Sequence, residues 1–199
     1  MPNTGRNNYK LLLLLLILLV INIFLFRLDL QSRKTGLTFA VMDVGQGDAL
    51  FIESPTGTQI LFDVGPARKI MGPLAKVMSP FDRSIDAIVL TNPDADHIGG
   101  FSEVFKNYKV GMVVEPGTVN DSRTYQNLKA DILNKNIPNI LAKSGMRLDL
   151  GGGVFIEILF PDQEVSNFNV NDGSVVARLY YGDTSIMLTG DSTLKTEKI

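Results

Sequence analysis

Leu90-Thr91-Asn92-Pro93-Asp94-Ala95-Asp96-His97-Ile98-Gly99-Gly100 is the stretch on which the reading of this chain turns. It closes Ile85-Asp86-Ala87-Ile88-Val89-Leu90-Thr91, a near-continuous apolar run of the kind that forms a strand buried on both faces. Two carboxylates and an imidazole therefore arrive within four residues, on a loop at the C-terminal end of a buried strand. Open α/β sheets place their sites there. Asp94, Asp96 and His97 offer hard oxygen and neutral nitrogen, a set that suits one or two divalent ions with bound water, Zn or Mn first and Fe equally allowed by the ligand types. Asp191, after Gly190 at the end of another strand, is a further candidate ligand. A carboxylate shared by two ions about 3.5–4 Å apart allows hydroxide to form and the oxygens of a phosphoester or acyl group to be clamped. Spacing alone leaves plainer readings open, namely a solvated turn, a helix N-cap or a packed histidine.

Outward from the loop, tight turns and short apolar runs alternate. Leu37 to Val44, Ala49 to Glu53 and Thr58 to Asp63 read as three strands of a meander, the first turn being Gly45-Gln46-Gly47-Asp48. That turn joins two strands instead of opening a helix, so it is not a phosphate loop. Residues 67–79 have helical character with a break expected at Gly72-Pro73. Past the loop, Phe101, Val104, Phe105 and Tyr108 recur at helical spacing, Val110 to Val114 reads as a strand, and Asp121 to Lys135 as a surface helix. Strands follow over Ile137 to Leu141, Val154 to Phe160, Val175 to Tyr181 and Ser185 to Thr189. A meander followed by alternating strands and helices predicts an α/β layered sandwich with helices outside.

The N-terminus is a different material. Leu11 to Phe26 is Leu, Ile, Val and Phe interrupted only by Asn22, with Arg6 and Lys10 before it and Arg27 after. A helix apolar on every side at a terminus reads as a membrane segment through residues 11–26, and the absence of small residues around Phe26-Arg27-Leu28 favours an anchor over a cleaved signal. The expected organisation is an anchor over 1–30, a linker over 31–36 and a folded body over 37–199. Residues 1–36 carry five Lys/Arg and one Asp, so the body is acidic, with fourteen Lys/Arg against twenty Asp/Glu. Such a balance argues against tight, passive nucleic-acid binding, though not against a metal that engages phosphate. With no cysteine, a metal must use oxygen and histidine ligands.

Taken in order, the blocks resemble the metallo-β-lactamase superfamily and, within it, the soluble domain of the ComEC family of competence proteins. Asp43-Val44-Gly45-Gln46-Gly47-Asp48-Ala49 looks like the opening strand-turn of that branch, and Asp63-Val64-Gly65 like its structural Asp-x-Gly. Leu90 to Gly100 looks like the main ligand loop, Asn171-Asp172-Gly173-Ser174 like a later Asn-x-x-Ser strand, and Leu188-Thr189-Gly190-Asp191 like the strand carrying a shared-metal Asp. The resemblance implies an αββα sandwich, preceded here by one transmembrane helix and cut short at its C-terminus. It also implies a metal-dependent hydrolase of phosphodiesters, acting on single-stranded DNA in relation to DNA uptake, while the apolar N-terminus and its flanking charges add the expectation of a membrane anchor with the body outside the cytoplasm. Asp94, Asp96, His97 and Asp191 would be the ligands, with Asn92 a weak one, and Asp96 would also be the catalytic base. Asp43, Asp48, Asp63, Asn171 and Ser174 would play supporting roles. Two departures qualify the picture. The family loop begins with His where this chain has Asn92, and the later His-rich block has no counterpart before Ile199. A non-catalytic binding or scaffold domain, and a hydrolase of another ester such as a lactone or thioester, are the alternatives.

Overall fold

The computed structural model describes residues 4–32 and 36–193, and the chain divides into two units, Met1–Thr35 and Gly36–Ile199. In the first, α1 (Thr4–Ser32) is one continuous helix. Its stretch Asn8–Arg27 has a mean hydropathy of 2.7 and is exposed along its length. Those 20 residues rise about 30 Å, the thickness of a hydrocarbon core, so the apolar helix is longer than the Leu11–Phe26 run alone implies. Asn22 donates its Nδ2 to the Leu18 carbonyl at 2.8 Å, which satisfies one polar group inside that surface. The helix continues through Gln31 and Ser32, while Arg33 and Lys34 of the expected linker lie outside the described residues.

The second unit opens with β1 (Thr38–Val41), β2 (Leu50–Glu53) and β3 (Gln59–Phe62), an antiparallel meander. A 3-10 turn over Ala67–Ile70 leads into α2 (Met71–Val77). The break falls at Ile70 and not at Gly72-Pro73, because Pro73 sits in the first turn of α2, where a missing N–H costs no helical bond. The apolar run 85–91 is likewise two strands, β4 (Ser84–Ile85) and β5 (Ala87–Val89). Between them Asp86 turns its Oδ2 onto the Gln59 N–H at 2.8 Å. After α3 (Ala95–Ile98) and α4 (Phe101–Asn107), β6 (Lys109–Val110) pairs with β4 and β7 (Val113–Glu115) with β5, splitting the 110–114 run to match. Helix α5 (Arg123–Asn134) starts where Ser122 Oγ accepts from the Tyr125 N–H at 3.2 Å. It is amphipathic, since Tyr125, Leu128 and Ile132 are buried against the sheet. Strands β8 (Asn139–Leu141), β9 (Arg147–Gly151), β10 (Val154–Phe160), β11 (Val176–Tyr181) and β12 (Thr184–Leu188) complete the described body.

The strands form a six-stranded sheet in the order β1-β2-β3-β5-β7-β8 and a four-stranded one in the order β12-β11-β10-β9. From β3 to β8 the first sheet is parallel, and the registers Leu61 to Ile88 and Ile88 to Val113 fix which side chains share a face. Leu61, Ile88 and Val113 point with Phe51 into a core shared with α2, α4 and α5. Ile60, Phe62, Val89 and Val114 point the other way, against Val154, Ile156, Ile158, Ala177 and Leu179 of the second sheet. This period-two division puts one core on each side of the six-stranded sheet. Burial of both cores leaves the C-terminal ends of β3 and β5 as the place where polar loops gather.

Candidate metal centre

Asp63 follows β3 directly and the ligand loop follows β5 directly, so parallel pairing of the two strands sets their first loop residues side by side. The Asp63 N–H donates to Val89 O at 2.9 Å, and the Thr91 N–H donates to Asp63 Oδ1 at 2.8 Å. The Val64 N–H donates to the His97 carbonyl at 2.9 Å, and the Val175 N–H, just before β11, to the Thr91 carbonyl at 2.8 Å. Backbone bonds thus lock the loop to both sheets. Two glycines permit the close approach. A Cβ on Gly47 would lie 2.0 Å from the Asp96 carbonyl oxygen, and one on Gly190 would lie 2.8 Å from the Thr91 side chain. Both have positive φ, at +79° and +50°.

Within this frame His97, Asp63, Asn92 and Thr91 are buried. His97 Nδ1 lies 2.9 Å from Asp63 Oδ2, and the Thr91 hydroxyl donates to the same oxygen. A carboxylate with three donors around it accepts from an Nδ1–H, which leaves Nε2 as the nitrogen that gains the second proton in the charged ring and holds the lone pair in the neutral one. Nε2 is buried and has no hydrogen bond among the described residues. Asp191 Oδ2 stands 3.2 Å from it, close enough to attract a charged imidazole yet outside hydrogen-bond alignment. Burial opposes the imidazolium, but Asp63 and then Asp191 outweigh it and push the His97 pKa up to about 9.

Asp94 and Asp96, on the same loop as His97, are held differently. Asp94 occupies the N-cap position of α3, yet its side chain does not cap. Its Oδ1 instead accepts from Asn120 Nδ2 at 3.0 Å. Burial, then the like charges of Asp96 and Asp191, raise its carboxyl above the ordinary carboxylate range. Asp96 Oδ2 accepts a long hydrogen bond from Gln46 Nε2 at 3.4 Å. Asn92 spends its Oδ1 on the Asp94 N–H at 2.9 Å, and its Nδ2 is buried without a partner among the described residues.

A divalent ion fits part of this arrangement. Nε2 of His97 is a buried nitrogen beside a half-exposed carboxylate that offers a lone pair once its proton is displaced, and its Nδ1 bond to Asp63 is the outer support that metal-bound histidines require. Asp191 Oδ2 is the oxygen beside it, and the charges of Asp96, His97 and Asp191 all act on Asp94. Asp48, Asp63 and His97 also approach within 4.8 Å of one another, but both Asp63 oxygens already accept hydrogen bonds. Asp63 is therefore a positioning group, with exposed Asp48 left at the margin. Of the other expected supporting residues, Asp43 accepts from the Gly45 N–H at 3.2 Å in the exposed turn. Ser174 is fully buried and donates from Oγ to Val170 O at 3.4 Å, and Asn171 Oδ1 is buried without a partner among the described residues. Thr91, Asn120 and Gln46 are site residues that the sequence reading passed over. Each is a short polar side chain in a turn, for which the sequence offers no signal beyond turn propensity.

A layered α/β body whose strand ends converge on an Asp-rich, single-histidine corner defines the class of metal-dependent hydrolase folds. Residues 42–199 match the family model of the metallo-beta-lactamase superfamily, and the chain belongs to that superfamily. Among relatives, ComE operon protein 3 of Bacillus subtilis is 29% identical over 169 residues, covering 76% of this chain and 21% of the relative. Recombination protein 2 of Haemophilus influenzae is 28% identical over 182 residues, covering 89% and 21%. The chain thus spans about a fifth of the length of these relatives, and the expected ComEC-like resemblance is borne out. Among solved structures, a Cronobacter sakazakii metallo-beta-lactamase with a HARLDQ motif superposes with a TM-score of 0.50 at 15% identity, covering 77% of this chain and 55% of that one. The metallo-beta-lactamase SMB-1 gives 0.50 at 17%, covering 78% and 62%. These likenesses support the fold.

Proposed function

We propose that the chain is a membrane-anchored, metal-dependent hydrolase that cleaves phosphodiesters of single-stranded DNA in relation to DNA uptake. The observation that carries the reading is the buried His97 Nε2, oriented by Asp63 and 3.2 Å from Asp191 Oδ2. His97, Asp191 and Asp96 would hold a Zn or Mn ion, with Asp94 beside them. When bound, such an ion supplies Lewis acidity toward water and phosphoryl oxygen. Asp63 holds the imidazole so that Nε2 faces Asp191, Thr91 holds Asp63, and Asn120 holds Asp94. Asp96, which accepts a long hydrogen bond from Gln46, orients the attacking water and accepts its proton. DNA as substrate is favoured by the ComEC-like relatives, one of them named as a recombination protein. Helix α1, with its 20-residue apolar surface, anchors the body to a membrane with the body outside the cytoplasm.

Cleavage of labelled single-stranded DNA by the full chain in detergent, with manganese or zinc added and with EDTA, tests this. Metal-dependent cutting that disappears in Asp191→Asn supports it. Turnover of a lactone or thioester without DNA cleavage would reassign the substrate. A protein that binds metal and cleaves neither would be the scaffold that the committed Asn92 amide favours.

A further inference from the structure

At the C-terminal ends of β7 and β8 the body holds an open cavity of about 760 Å³. Parallel pairing of β5, β7 and β8 brings these ends to the same edge of the sheet as the ligand loop after β5. The segment that leaves Glu115 at the cavity runs on to Asn120, which holds Asp94. Tyr125 of α5, Leu141, Val165, Pro116 and Pro161 give the cavity apolar walls, and its size suits a small organic group.

Glu115 is the group in these walls with an acceptor to spare. Its side chain is only 4% exposed. Lys129 Nζ and Asn139 Nδ2, the latter at 2.6 Å, both donate to Oε1, and Oε2 has no hydrogen bond among the described residues. Oε2 is not sealed in as the orphaned Thr118 Oγ1 is, so the little exposure the side chain keeps includes this oxygen. The cavity that Glu115 lines is the space it meets. A nearly buried carboxylate oxygen without a donor is completed by one from outside.

The rim decides what kind of donor enters. Lys129 is engaged by Glu115, which leaves Asp162 and Glu164 against Lys143. Such a balance disfavours a phosphate, whereas an uncharged planar ring with an N–H edge suits both the apolar walls and the free oxygen. Unpaired nucleobases have that form, since their edges are open and their faces stack on aromatic side chains. We propose that the cavity takes an unpaired nucleobase, its exocyclic amino group donating to Glu115 Oε2 and its ring lying against Tyr125 and Leu141. The inference rests on the single-stranded DNA reading above and deepens it, giving that strand a base subsite one sheet strand away from the ligand loop. Cytosine carries the amine that a carboxylate accepts from, and thymine does not.

Fluorescence anisotropy of labelled deoxycytidine and deoxythymidine oligomers, with the full chain in detergent and EDTA, tests this apart from any metal. The deoxycytidine oligomer should bind about tenfold more tightly, the scale of one hydrogen bond to a charged group. In Glu115→Gln that preference should vanish or reverse, because Lys129 and Asn139 hold the amide oxygen and turn its NH2 toward the ligand. A merely structural Glu115 would weaken both oligomers alike. Should the variant not fold, the unaltered chain with a deoxycytidine oligomer dimethylated at the exocyclic amine should show the same tenfold loss, since the donor is gone. Equal affinities for the two natural oligomers, a preference unchanged in Glu115→Gln, or no loss on dimethylation would overturn the inference. Manganese- or zinc-dependent cleavage persisting beside any of these results would leave the hydrolase reading standing, whereas neither binding nor cleavage of either oligomer would overturn both.

Discussion

His97 and Asp63 form a pair in which Nδ1 and Oδ2 are 2.9 Å apart and both side chains are 1% exposed. The pair does two things at once. It ties the loop after β5 to the end of β3, and it fixes which imidazole nitrogen faces Asp191. Replacing Asp63 by Asn would leave Thr91 and His97 facing a weaker, neutral partner inside the core. Breaking a buried pair in this way costs about 3–5 kcal/mol. Denaturant unfolding of Asp63→Asn should show a midpoint lowered to match, with an unchanged slope; an unchanged midpoint would mean that the pair contributes nothing.

The same pair sets a pH dependence in the metal-free protein. The folded His97 pKa, at about 9, lies above the ordinary value of 6.5, so the folded state holds the extra proton. That contribution is fully present below pH 6.5 and is lost as pH rises through 9. Asp63, also raised, acts in the same direction. Thermal unfolding of EDTA-treated protein should therefore show a melting temperature that falls from pH 6.5 to 9, and a rise would contradict the assignment.

Metal binding should respond in the opposite sense, because an ion at Nε2 must displace a proton. Zinc affinity by competition with a chromophoric chelator should strengthen by up to tenfold per pH unit toward pH 9, after correction for the chelator. A flat profile would place the ion away from His97.

Gly47 is the position where backbone conformation and site geometry meet. Its φ of +79° is strained for any other residue, and a Cβ would meet the Asp96 carbonyl at 2.0 Å. Gly47→Ala should lower stability by about 1–3 kcal/mol and weaken zinc binding, since Asp96 must move. Gly57→Ala, at a φ of +88° but in open space, is the control and should lose stability with no change in zinc affinity.

Asn120 donates to Asp94 through a 3.0 Å bond and accepts from the Ser122 N–H at 2.7 Å, so it ties Asp94 to the turn that opens α5. Removal of such an outer partner costs about 10–100-fold in metal affinity or activity where the supported group is a ligand. If the ion sits on the His97 side as proposed, Asn120→Ala should leave zinc affinity within a few fold while lowering turnover. A hundredfold loss of affinity would show Asp94 to be a principal ligand.

The sequence made most of the fold legible because strand, turn and helix signals agreed locally. Val154–Phe160 alternates buried and half-buried along its whole length, as a strand between a core and an outer face must. The splits at Asp86 and at Gly111-Met112 were not legible, since a continuous apolar run hides an interruption made by one side-chain bond to a neighbouring strand. Asp94, Asp96, His97 and Asp191 were readable as a group from residue type and placement at strand ends. The rank of Asp63 was not, because its importance lies in three donors brought from Thr91 and His97, positions 28 and 34 residues away. Asn92 was visible as an unusual residue, but the direction of its amide appears only with the turn to Asp94.

His97 is the only histidine in the chain, so its ring nitrogens can be observed without ambiguity. Nitrogen-15 NMR of histidine-labelled full-length protein during a zinc titration tests the central claim directly. The account predicts that Nε2 alone shifts to a metal-bound resonance while Nδ1 keeps its proton in the bond to Asp63. A ring unaffected by zinc, or a metal-bound Nδ1, would contradict it.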